Sequence, residues 1–268
     1  MDVSFWMPLV MKMLTSAAIV VAASLVVERS GPFLGAMIAT LPISAGPAYA
    51  FLALDHGSEF VATSALAGLA VSAATVVYMI VYAAAAQRGG VLASVGSALA
   101  IWAVSIWIVL GIRWSLGGAL ALNAGIYALA IPIARQFSAA AMPVSQAKRP
   151  WDIPFRAALV MSVVGVTIVA GRTLGPSVAA AAALAPVVLM SLALILHPRA
   201  GGVAAASVVA NGVPGMVGFV GALTLLHLCA VRLGAAASLL LALGVSIGWN
   251  ACLVALRRWR RSVRAGMR

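Results

Sequence analysis

The sequence predicts an all-α, polytopic membrane helix bundle of about nine spans, built as two inverted-topology repeats with a Pro-broken helix in each. Three observations predict it. The chain is 64% hydrophobic and only 8% charged, a balance that excludes a soluble globular domain. Its apolar residues fall in successive runs of about 20, the length that crosses roughly 30 Å of hydrocarbon. One unusual run also occurs twice, as GPFLGAMIATLPISAGPAYAFLAL from Gly31 to Leu54 and as GPSVAAAAALAPVVLMSLALILHP from Gly175 to Pro198.

Taken in order, the spans are expected at 13–29, 31–54, 60–86, 91–112, 115–134, 157–173, 175–197, 203–230 and 234–256. The first and sixth are short. Lys12 and Arg156 stand at their starts, where long aliphatic stems let the charge reach the interface. Gly31 and Gly175 turn the chain into the broken spans, each followed by a proline at the first helical turn, where a missing N–H costs little. No basic n-region or small-residue cleavage site marks the first run as a signal peptide, so it reads as a retained span.

Each broken span carries a second proline eleven residues past its opening glycine, Pro42 and Pro186. Eleven residues of helix rise about 16 Å, which puts both prolines near the bilayer midplane. A proline inside a helix lacks the N–H for the carbonyl four residues back, so the carbonyls of Ile38 and Ala182 need other partners. Hydrocarbon tolerates such a defect only where protein buries it or a wet cavity lies beside it. Paired Gly/Pro-interrupted spans at matching positions in two halves point to a transporter's binding site.

The offset of 144 runs without a gap from Lys12/Arg156 through Gly57/Gly201 and Gly68/Gly212 to Arg88/Arg232. Residues 1–134 form the first repeat, four spans plus an extra one at 115–134. Residues 135–154, RQFSAAAMPVSQAKRPWDIP, are a polar cytoplasmic linker, 155–256 the second repeat of four spans, and 257–268 a basic cytoplasmic tail. The odd number of spans between equivalent elements inverts the second repeat. With the tail inside, thirteen basic residues fall inside and four (Lys12, Arg113, Arg172, Arg232) outside, as the positive-inside rule requires. The net charge of +12 therefore reads as anchorage to anionic lipid at the C-terminal arginines, and nucleic acid is excluded as a partner for want of any base-reading module.

The candidate solute-binding residues are Thr40, Pro42 and Ser44 in the first break, Pro186 in the second, and Asn211 and Pro214 at the start of the eighth span. Half-helix starts at the breaks offer N–H groups to anions, and freed carbonyls suit cations. Ala, Val and Leu surround Pro186, so the polar site is expected to be weighted to the first repeat. Glycines 212, 215, 218 and 221 read as a close-packing face. His227 reads as a packing histidine. Tyr78, Tyr82, Asn123, Tyr127 and Asn250 are polar residues within spans that rank below the breaks.

No catalytic set is legible. The five acidic residues lie near span ends or in loops, His56 beside Asp55 reads as an exposed-loop dipeptide, and the three histidines share no metal-ligand spacing. No phosphate-cradling glycine loop appears, and no cofactor is expected. Cys229 and Cys252 sit in apolar runs without metal or disulfide spacing.

GPFLGAMIATLPISAGPAYAFLALDHG followed by TSALAG, and again GPSVAAAAALAPVVLMSLALILHPRAGG, resembles the GlpM-like small bacterial inner-membrane proteins. The shared pattern is a Gly, a Pro-broken apolar span, a Gly at the next loop and a small-residue span. The chain then resembles two such units fused, with the span at 115–134 as the departure that inverts them. The resemblance implies a multi-pass protein of the bacterial inner membrane and a link to envelope polysaccharide production. Two functions are expected from these readings. The first is a secondary carrier or permease for a small solute, with its site at the midplane between the broken helices. The alternative is a non-transporting membrane subunit that assists envelope polysaccharide biosynthesis.

Overall fold

In the computed structural model the described residues are 3–29, 45–139 and 151–266, and among them every regular element is helical. The elements are α1 (Val3–Arg29), α2 (Ala45–His56), α3 (Ser58–Ala85), α4 (Val91–Leu110) and α5 (Leu116–Phe137) in the first half. The second half contributes α6 (Asp152–Thr173), α7 (Pro176–Ala183), α8 (Val187–Ala200), α9 (Gly202–Leu233) and α10 (Ala235–Gly266). Residues 30–44, with Thr40, Pro42 and Ser44, and most of the linker lie outside the described residues.

Among the described residues, seven helical stretches are long and apolar enough to cross a membrane, with α7 and α8 counted as one span. They correspond to the third through ninth expected runs. A shorter apolar stretch, Trp6–Ala22, lies in α1. This is the make-up of a multi-pass membrane protein. Its outer surface agrees, since Leu92, Trp107 and Leu240 are each more than 70% exposed, which suits lipid and would be costly in water.

Helix α3 is the centre of the bundle, with Leu69, Val71, Val76, Tyr78, Met79 and Tyr82 wholly buried. It packs along α9 with opposite chain direction. At one end the late His227 of α9 lies 2.8 Å, Nδ1 to O, from the carbonyl of early Ala62. At the other, Gly202 at the start of α9 is pressed so closely on the Ala86 carbonyl, just past α3, that no side chain fits. Helices α1 and α6 also run antiparallel. Lys12 in the first half of α1 and Arg172 near the end of α6 reach the same Asp55 carboxylate, and Met13 rests on Gly165.

The glycine stripe of α9 packs as its spacing predicts. Trp249 of α10 lies against Gly218, where a Cβ would come within 2.7 Å of it, and Val245 lies over Gly221. Close backbone approach of this kind substitutes for the hydrophobic drive that helices in lipid lack.

Helix boundaries coincide at the sequence offset. Arg29 and Thr173 end α1 and α6, His56 and Ala200 end α2 and α8, Ser58 and Gly202 open α3 and α9, and Val91 and Ala235 open α4 and α10. Between the second and third of these boundaries stand Gly57 at φ 82° and Gly201 at φ 84°. Both hold a left-handed backbone that disfavours any residue with a Cβ.

Candidate solute cavity and helix break

The break at Pro186 forms as the sequence predicts. Helix α7 stops at Ala183, the chain turns through Leu184 and Ala185, and α8 restarts at Val187 with Pro186 as its N-cap. The Ala182 carbonyl, which loses its helical partner to Pro186, instead accepts from the Ala185 N–H at 3.2 Å. A tightened last turn thus satisfies the group locally. The Leu184 carbonyl faces the Thr75 hydroxyl of α3 at 3.5 Å, and that hydroxyl lies 3.4 Å from the Val71 carbonyl as well. Pro186 itself is buried.

The polar side chain that meets the second break therefore comes from α3, as Thr75, and not from the residues beside Pro186. Ser72, Thr75, Tyr78 and Tyr82 fall within about 120° of arc at 3.6 residues per turn. Ser72 lies 3.1 Å from Asn123 Oδ1 on α5, and Tyr82 Oη lies 3.2 Å from His197 Nδ1 on α8. The Tyr78 and Tyr127 hydroxyls are buried with no hydrogen-bond partner among the described residues. Thr75 escapes a reading that looks only beside the prolines. Its signal was the run of polar residues on one face of an otherwise apolar span.

Asn211 and Pro214 have structural partners. Asn211 Nδ2 donates to the Ser207 carbonyl at 2.7 Å and to the Ser138 carbonyl at 3.2 Å, which ties α9 to the end of α5. The Pro214 carbonyl accepts from Trp249 Nε1 at 2.8 Å. Asn123 likewise donates to the Leu69 and Ala119 carbonyls, at 2.7 and 2.9 Å, and cross-links α5 to α3.

A cavity of about 340 Å³ lies elsewhere, between α1, α2, α9 and α10. Its wall includes Pro47, Tyr49, Leu223 and Leu226, it opens on the outer surface at Ile19 and Leu240, and neither Pro186, Asn211 nor Pro214 borders it. It adjoins Ala45, the first residue after the segment that holds Thr40, Pro42 and Ser44. The Tyr49 hydroxyl, which donates to the Ser64 carbonyl at 3.0 Å, is already engaged. The described wall is therefore apolar in function, and its size is that of an ordinary small-molecule site.

Charged groups mark the two ends of the bundle. At the α2 end, Lys12 Nζ meets Asp55 Oδ1 at 2.5 Å and Arg172 approaches Asp55 Oδ2 at 3.8 Å. His56 stacks on Phe60 with ring centroids 4.2 Å apart, and its Nε2 is buried without a hydrogen-bond partner among the described residues. It is a packed residue at a helix end, not the exposed-loop dipeptide its neighbours in sequence suggest. At the opposite end, Arg199 of α8 meets Asp152 of α6 at 2.6 Å. Among the described residues no three His, Cys, Asp or Glu side chains gather where a metal could bind.

No family model matches the chain, and no curated protein or solved structure is significantly similar to it.

Proposed function

We propose that the chain is a secondary carrier for a small, largely apolar solute, which it holds in the cavity beside Pro47 and Tyr49. The cavity carries this reading. Its volume suits a small organic molecule, and its described walls offer no free hydrogen-bonding group, so a strongly polar solute would lose its hydration without compensation. The site lies in the half of the bundle toward Asp55, against the end of the first broken run.

Inverted repeats support an alternating-access mechanism for this carrier. In their favour are the coincident helix boundaries and the antiparallel packing of α1 on α6 and α3 on α9. The excess of basic residues at the Arg199 end, which also bears the C-terminal arginines, favours a cytoplasmic placement of that end in a bacterial inner membrane, with anionic lipid at the tail.

A second reading rests on one specific observation. The Pro186 break is buried and locally satisfied, as a structural kink would be. That favours a non-transporting subunit assisting envelope polysaccharide biosynthesis, the role implied by the likeness to GlpM-type proteins.

Purified protein in lipid nanodiscs, titrated with an environment-sensitive apolar fluorophore, separates the two. The carrier reading expects saturable binding that Gly46→Phe abolishes. A Cβ at Gly46 meets nothing within 4 Å, so the added ring has space to enter without disturbing the helix. Equal partition into wild type, variant and empty nanodiscs would leave only the subunit reading.

A further inference from the structure

Among the described residues, two partly buried ion pairs occupy comparable places in the two halves. Lys12, ten residues into α1, pairs with Asp55 near the end of α2, and Asp152 at the start of α6 pairs with Arg199 near the end of α8. At the offset of 144, Asp55 falls on Arg199 and Lys12 on Arg156, one helical turn from Asp152. The sign of the charge reverses, but the mechanical connection does not. Each pair ties the first helix of a half to the end of its broken span, at opposite ends of the bundle.

All four side chains are between 12% and 17% exposed, so each pair is shielded enough to hold and near enough to water to be released. An ion pair deep in hydrocarbon would be too costly to break repeatedly, and a fully exposed one would hold nothing. Both pairs are closed at once, and the cavity lies between the two ends. Ile19 of its wall is two turns along α1 from Lys12, and Ala50 is five residues before Asp55 on α2.

We infer that Lys12–Asp55 and Asp152–Arg199 are a matched pair of ionic latches that open in alternation, each exposing the interior to one side while the other stays shut. This rests on the carrier reading, in which a solute site must face each side in turn. Because the helices of the two halves pack against one another, release of one latch moves α1 against α6, the helix that carries Asp152 of the other. Arg172 stands beside Asp55 as a second cation at the first latch.

The test reads accessibility and not flux, so it can succeed or fail independently of the transport assay. In a background carrying Cys229→Ser and Cys252→Ser, two reporters are placed at equivalent buried positions, Ser16→Cys on α1 and Val160→Cys on α6. These positions are 0% and 2% exposed, and each lies one turn inside Lys12 or Arg156. Right-side-out and inverted membrane vesicles are labelled with a membrane-impermeant maleimide.

Asp55→Asn should speed labelling of the Ser16→Cys thiol and slow that of the Val160→Cys thiol. A minor open state populated at roughly 10% or less allows a rise of about tenfold. Arg199→Gln should do the reverse, and the swapped pair Asp152→Arg with Arg199→Asp should restore wild-type rates. If Asp55→Asn does not accumulate, Lys12→Gln poses the same question at the same latch. Labelling that changes only at the mutated end, rises at both ends together, or does not change at all would overturn the inference, because each describes a static staple. Reciprocal labelling with no solute flux would uphold the latches and sink the carrier.

Discussion

The Tyr49 hydroxyl occupies the space that a side chain at Gly68 would need. A Cβ there would lie 2.6 Å from the phenol oxygen, which donates to the Ser64 carbonyl at 3.0 Å. Tyr49 is also a wall of the cavity, so this contact on the central helix α3 sets how far the ring stands toward that space. Gly68→Ala should displace the ring and destabilise the protein by about 1–3 kcal/mol, the usual cost of overpacking. Tyr49→Phe removes one hydrogen bond, about 1 kcal/mol, and also removes the clashing atom. The double variant should therefore be less destabilised than the sum of the two. Thermal unfolding in a double-mutant cycle reads the coupling, and strict additivity would show that the hydroxyl does not fill the Gly68 notch.

The docking of α10 on α9 depends on Trp249. Its ring lies against Gly218 and its Nε1 donates to the Pro214 carbonyl at 2.8 Å. Trp249→Phe should cost about 1 kcal/mol for the hydrogen bond. Gly218→Val should cost more, because the backbones must separate to admit the branched side chain. Unfolding midpoints in detergent that rank the two variants the other way would show that the hydrogen bond, and not close approach, fixes α10.

The proposed inverted repeats and the charge distribution together predict a topology. Reporter fusions after Gln87, Gln146 and Arg268 should be cytoplasmic, and a fusion after Gly57 external. Placement of residue 57 and the C-terminus on one side of the membrane would contradict the inverted arrangement.

The basic tail should act on insertion and orientation. Neutral replacements at Arg257, Arg258, Arg260 and Arg261 together remove four charges, each worth about 1 kcal/mol near an anionic surface. The expected result is a loss of correctly oriented protein, read by protease protection, with unchanged flux per correctly oriented molecule.

Much of this fold could be read from residues alone, for physical reasons that differ by element. The Pro186 break was legible because the Gly/Pro-interrupted design recurs at the offset of 144; a proline alone does not end a helix here, since Pro132 and Pro214 sit inside continuous ones. The close-packing face of α9 was legible because Gly212, Gly215, Gly218 and Gly221 recur at helical spacing, but that α10 fills it at Gly218 and Gly221 was not. The cavity was not legible. Its walls are ordinary Ala, Leu and Ile residues from four helices, and only their placement makes a space. Thr75 was hidden for a related reason. It lies 109 positions before Leu184, whose carbonyl it faces, and no local pattern links them. His56 was misread because Asp-His-Gly looks like a loop in sequence, while the stacking on Phe60 that buries it appears only in three dimensions. Thr40, Pro42 and Ser44, the residues expected to dominate the site, lie outside the described residues.

Solute flux into proteoliposomes that contain only this protein tests the central claim most directly. A panel of small apolar and amphiphilic solutes should include at least one whose uptake is saturable, exceeds that of protein-free vesicles, and is lost in Gly46→Phe while that variant keeps wild-type abundance and unfolding temperature. Uptake across the whole panel that is linear in concentration, and equal in wild-type, Gly46→Phe and protein-free vesicles, would contradict a carrier built around the cavity.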